Sequence, residues 1–139
     1  MEHLDLLIMD AALKSHFLML YCMILADGII DVKELEVLYK IGIENYGLTP
    51  EQISEAVREA GTSYEFPEKI EDRIALLYEL ALIAWADGRI EQSERDMIES
   101  YALKMGFLEE NINGITDFLL EQAEANIPVG KVLDKILNS

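Results

Sequence analysis

A nine-residue segment of this chain recurs with five identities. ADGIIDVKE at positions 26–34 aligns with ADGRIEQSE at positions 86–94, an offset of 60 residues. Ala26, Asp27, Gly28, Ile30 and Glu34 recur as Ala86, Asp87, Gly88, Ile90 and Glu94, and the acid Asp31 is matched by the acid Glu91. An apolar segment precedes each copy and an amphipathic one follows it, so the repeated unit is helix, Asp-Gly turn, helix. Two such hairpins in 139 residues are expected to pack face to face with a pseudo-twofold relation. The predicted fold is all-α, a compact bundle of about seven helices built around the two hairpins, forming one domain over residues 1–139.

The rest of the chain carries helix punctuation and no strand-like alternation. Leu4, Leu7, Ile8 and Ala11, then Leu18, Tyr21, Cys22 and Leu25, keep helical spacing and predict a first helix to about Ala26. Leu35, Leu38 and Ile41 mark a second, ending near Tyr46 before Gly47. Thr49-Pro50-Glu51-Gln52 combines a capping hydroxyl, a first-turn proline and a glutamine three residues on, which opens a third helix reaching Gly61. The fourth is predicted to start at Pro67 and Glu68. Its stripe of Ile70, Ile74, Leu77, Ala81 and Ala84, widened by Leu76, Leu80, Leu82 and Trp85, is apolar nearly all round, as expected of a central buried helix. A fifth runs from about Glu91 to Met105, a sixth carries Leu108, Ile112, Ile115, Phe118 and Leu119, and a seventh follows Pro128 with Val132, Leu133 and Ile136.

Composition narrows the function. With 27 acidic against 11 basic residues the formal net charge is −16, so nucleic-acid phosphates and anionic lipid are met with repulsion. The longest uncharged apolar run, Phe17 to Ala26, is about half of the roughly 20 residues a membrane span needs, and Glu2 and Asp5 oppose a signal peptide. Neither nucleic-acid binding nor direct membrane insertion is expected. A single cysteine, Cys22, gives no intramolecular disulfide and no cysteine metal cluster, in keeping with the cytoplasm. His3 and His16 have no partners at ligand spacing and are read as surface or core residues. Tyr64, Phe66 and Pro67 are read as a lid over the bundle or an aromatic contact.

The doubled turn has two readings. Glycine after a helix is an ordinary stop, and Asp31-x-x-Glu34 is an ordinary capping box. Against that, Asp27 and Asp87 each put a negative charge at a helix C-terminus, where the macrodipole opposes it by about 0.3–1 kcal/mol. Glu91 is also a weaker N-cap than Asp, Ser or Thr. The spacing matches the second half of an EF-hand loop, with Asp27 at position 5, Gly28 at 6, the Ile29 carbonyl at 7, Asp31 at 9 and Glu34 at 12. Asp87, Gly88, the Arg89 carbonyl, Glu91 and Glu94 fill the same slots in the second copy. Positions 1 and 3 would be Met23 and Leu25, or Ile83 and Trp85, which offer no oxygens. Each half-loop supplies about four protein oxygens of the 6–8 that calcium takes, and an all-oxygen set favours calcium or magnesium over zinc or copper.

The doubled ADGxIxxxE motif resembles the TerB-like domain family, and the resemblance spans roughly Leu13 to Phe118. It implies a bacterial, all-helical bundle whose acidic motifs hold a divalent cation, here through Asp27, Asp31 and Glu34 and through Asp87, Glu91 and Glu94. It also implies a stress-linked role. Arg89 departs from that pattern and weakens the second copy as a cation site. Three functions are consistent with these readings. One is a non-catalytic interaction domain with acidic, cation-binding turns and an unidentified protein partner. Another is a helical scaffold or homodimer whose turns only shape helix ends. The third, a carboxylate-metal hydrolase, has no nucleophile or base in the sequence to support it.

Overall fold

The computed structural model describes residues 11–26, 28–59 and 65–138. Among them are seven helices and no strand: α1 (Ala11–Ile24), α2 (Val32–Tyr46), α3 (Pro50–Glu59), α4 (Ile70–Ala84), α5 (Gln92–Lys104), α6 (Glu109–Glu124) and α7 (Val129–Leu137). Leu4, Leu7 and Ile8 of the expected first helix, Gly61 and Tyr64 lie outside the described residues.

Local signals set most helix ends. Thr49 Oγ1 accepts from the Gln52 amide at 3.1 Å while Gln52 Oε1 accepts from the Thr49 amide at 2.9 Å, closing the expected capping box of α3. Gly47, left-handed at φ 65°, ends α2. At α4 the structure differs from the sequence reading. The helix starts at Ile70, with Lys69 as its N-cap, and not at Pro67. Arg73 is the reason: its Nε donates to the Pro67 carbonyl at 2.6 Å and its Nη1 to the Met105 carbonyl at 2.9 Å. That clamp holds the stretch before Ile70 as a lead-in, and Ile70 itself is 41% exposed at the helix mouth. Beside it Phe66 packs edge-on to Tyr101 and covers the core, as a lid would.

The core is organised on α4, which packs against α1, α2, α5, α6 and α7. Ile74, Leu76, Leu77, Leu80, Ala81, Ile83 and Ala84 are all buried there. Trp85, expected inside, is half-buried at the helix end, with its Nε1 donating to the Leu120 carbonyl at 2.8 Å. The buried face of α1 is also not the expected one. Phe17, Met19, Leu20, Met23 and Ile24 are buried, whereas Leu18, Tyr21 and Cys22 are half-buried and Leu25 is 41% exposed. A helix apolar on nearly every side has no polar face to orient it, so its contacts with α3 and α4 decide which stripe turns inward.

One close approach sets the distance between α2 and its neighbours. Gly42 is buried in mid-helix, and a Cβ there would lie 2.8 Å from Ile53 Cγ1 and 3.2 Å from Phe17 Cε1. Gly114, in α6, has no atom within 4 Å of the equivalent point. Alanine is the better helix former by about 0.5–1 kcal/mol, yet the two substitutions should act with opposite sign. Gly114→Ala should stabilise by about that amount, and Gly42→Ala should destabilise by about 1–3 kcal/mol through overpacking. Urea unfolding of both variants measures this; a stabilising Gly42→Ala would show that the helices are not in contact there.

Candidate functional site

The described residues of the two Asp-Gly turns make the same backbone hydrogen bonds. Ala26 and Ala86 amides bond to the Met23 and Ile83 carbonyls at 3.2 and 3.1 Å, and Gly28 and Gly88 amides bond to the Leu25 and Trp85 carbonyls at 2.9 Å in both copies. Gly28 and Gly88 then take φ of 82° and 89°, a left-handed turn that a side chain would strain. The chain is thereby reversed out of α1 into α2 and out of α4 into α5.

Asp31 is the N-cap of α2, and its Oδ1 accepts from the amides of Lys33 at 2.7 Å and Glu34 at 3.3 Å. Glu34 follows in the first turn and is buried, 3% exposed. Asp87, half-buried in the second turn, accepts from the Arg89 amide at 3.2 Å. Asp31, Glu34 and Asp87 each bring a carboxylate oxygen to within 4.8 Å of the other two. The cluster therefore crosses the repeats, joining two acids of the first motif to one of the second, where the loop alignment had placed a separate site in each copy. Asp27 lies outside the described residues. Glu91 pairs with Arg89 at 3.3 Å on the surface, and Glu94, buried, accepts from the Glu91 amide at 2.8 Å.

Three carboxylates this close repel one another by a few kcal/mol per pair at an effective dielectric of about 20. They supply three oxygens if each binds through one atom and more if any is bidentate, and water can complete the 6–8 of calcium or the six of magnesium. The donor set fits a hard divalent cation and has no soft ligand to favour zinc or copper.

A second polar constellation escaped the sequence reading. His16 on α1, Tyr46 at the end of α2 and Glu79 in the middle of α4 meet in the core. His16 Nε2 lies 2.6 Å from Glu79 Oε1, and both side chains are buried. The Tyr46 hydroxyl donates to Glu79, with its oxygen 3.1 and 3.0 Å from the two carboxylate oxygens and 3.1 Å from His16 Nε2. Burial first, and the Glu79 charge second, hold the Tyr46 phenol far above the ordinary tyrosine range. The available signal was Glu79 itself, the one acid in the apolar stretch from Ile74 to Ala84, which has to find a partner when buried. This network is buried between three helices, and we assign it to holding α1, α2 and α4 in register.

A family model described as tellurite resistance protein TerB matches residues 14–116. Comparison with curated proteins and with solved structures gave no match. The match covers both Asp-Gly turns and most of the 139 residues, and on it the chain belongs to the TerB family.

Proposed function

We propose that the chain is a non-catalytic interaction domain that binds calcium or magnesium at Asp31, Glu34 and Asp87 and presents its surface to a protein partner in the cytoplasm. The observation that carries the cation is the convergence of three carboxylates, from turns 60 residues apart, to within 4.8 Å. A fold gains nothing from mutual repulsion unless a cation offsets it. Both cap bonds of Asp31 fall on Oδ1, leaving Oδ2 for a ligand. The absence of catalysis is supported by His16, one of two histidines, being committed to the buried pair with Glu79. No helix among the described residues is long and apolar enough to cross a membrane. The scaffold reading draws on the same Asp31 cap, which shapes the start of α2 with or without a metal.

Cation binding to the folded state alone stabilises it by mass action, by about 2.7 kcal/mol at one hundred times Kd. For a chain of this size that corresponds to a rise in Tm of roughly 5–10 °C. The expected Kd is micromolar or weaker, since the protein supplies fewer oxygens than a complete calcium site. Thermal unfolding in chelator and in millimolar calcium or magnesium measures it. Glu34→Gln should abolish the shift while keeping the side-chain volume; a parent whose Tm ignores both cations would leave the scaffold reading in place.

A further inference from the structure

We propose that the groove between α2, the C-terminal end of α4 and the turn joining α6 to α7 binds a basic amphipathic helix of a partner protein. The proposal rests on the interaction-domain reading but not on the cation. The groove encloses about 670 Å³, within the size range of ligand-binding clefts. Its floor is apolar and ridged. Val37 and Ile41 are spaced i, i+4 along α2, Leu82 and Trp85 are spaced i, i+3 at the end of α4, and Ile127 closes the far side. Four of these five are only half-buried by the bundle's own packing, Ile41 being the buried one. Apolar residues at helical spacing on two helices accept the ridge of a third helix better than they accept a compact small molecule.

The charge of the partner follows from the rim. Glu44 and Glu124, both exposed, face the groove against the single cation Lys40. Two helix C-termini also end there, α4 at Ala84 and α6 at Glu124, and neither has a basic residue in its last turn. Each carries the negative end of a helix dipole, which Lys or Arg normally offsets. Neither last turn contributes a cation of its own, Lys135 reaching the end of α6 through a 2.8 Å bond to Gln122 Oε1, and lysines or arginines flanking the apolar stripe of a partner helix would add positive charge at both ends. Trp85 adds a ring face on which a cation can rest.

Trp85 is the only tryptophan, so its emission reports the groove directly. The full chain, in chelator, is titrated with an amphipathic helix of leucine and lysine about four turns long, and separately with its leucine and glutamate analogue. The lysine peptide should shift Trp85 emission to the blue with a saturable curve, and the glutamate peptide should not. Glu44→Lys with Glu124→Lys should weaken binding at least about tenfold. Glu51→Lys with Glu55→Lys, the same charge change on exposed sites of α3 outside the groove, should leave it within about threefold. Equal weakening by both pairs would mean unspecific attraction to an acidic protein and would overturn the proposal. So would an unshifted Trp85, or an emission that changes with protein concentration alone, which would place a second copy of this chain in the groove. Because chelator is present throughout, loss of peptide binding and loss of cation binding are read independently.

Discussion

Replacing His16 by leucine should remove about 3–5 kcal/mol of stability, a large part of the 5–15 kcal/mol that a domain usually has. The substitution keeps an apolar volume in place but leaves the Glu79 carboxylate, 1% exposed, with Tyr46 as its remaining partner from the network. A buried carboxylate that loses its closest hydrogen-bond partner keeps its desolvation cost with less to offset it. The double variant His16→Leu with Glu79→Leu removes the charge too and should be more stable than His16→Leu alone, a non-additivity expected of coupled residues. Tyr46→Phe removes one donor and should cost about 1–3 kcal/mol. It should also change the alkaline limit. The folded phenol is raised above its unfolded value, so the stability it contributes is fully present below about pH 10, the unfolded range, and is lost as pH climbs beyond it. The phenylalanine variant lacks that component of alkaline unfolding. Denaturant titrations at neutral and alkaline pH check all three variants; a His16→Leu cost below about 1 kcal/mol would mean that the three helices are held by apolar packing alone.

Leu77→Ala should cost about 2–5 kcal/mol. Leu77 is fully buried at the middle of α4, the helix on which five others pack, so the cavity is surrounded by elements that cannot all collapse into it. A loss below about 1 kcal/mol, measured by urea unfolding, would show that the site relaxes and that α4 is not the organising helix.

These two sites also show how much the sequence carried. Leu77 lies in a stripe whose period and length read as a buried helix, and the burial of α4 follows from that pattern. Thr49 and Gln52 encode their capping box in four consecutive residues, and its hydrogen bonds are those the spacing predicts. Pairing between distant residues is different. Glu79 stands one turn or less from Leu76, Leu80 and Ile83 in sequence, and nothing local names His16, 63 residues away, as its partner. The inward face of α1 was hidden for a related reason, because a helix apolar on most sides is oriented by what packs on it. The acidic turns were legible as a motif. Their assembly was not: the loop analogy pairs ligands within one copy, while the fold sets Asp87 beside Asp31 and Glu34.

That crossing makes the cation account testable in one measurement, a calorimetric calcium titration of Asp87→Asn beside Glu34→Gln and the double variant. If one ion is shared between the turns, each single substitution removes the same binding event, and the double variant loses nothing further. If Asp87→Asn binds calcium at the parent's stoichiometry and affinity while Glu34→Gln does not, the first turn works alone and the shared centre at Asp31, Glu34 and Asp87 is contradicted.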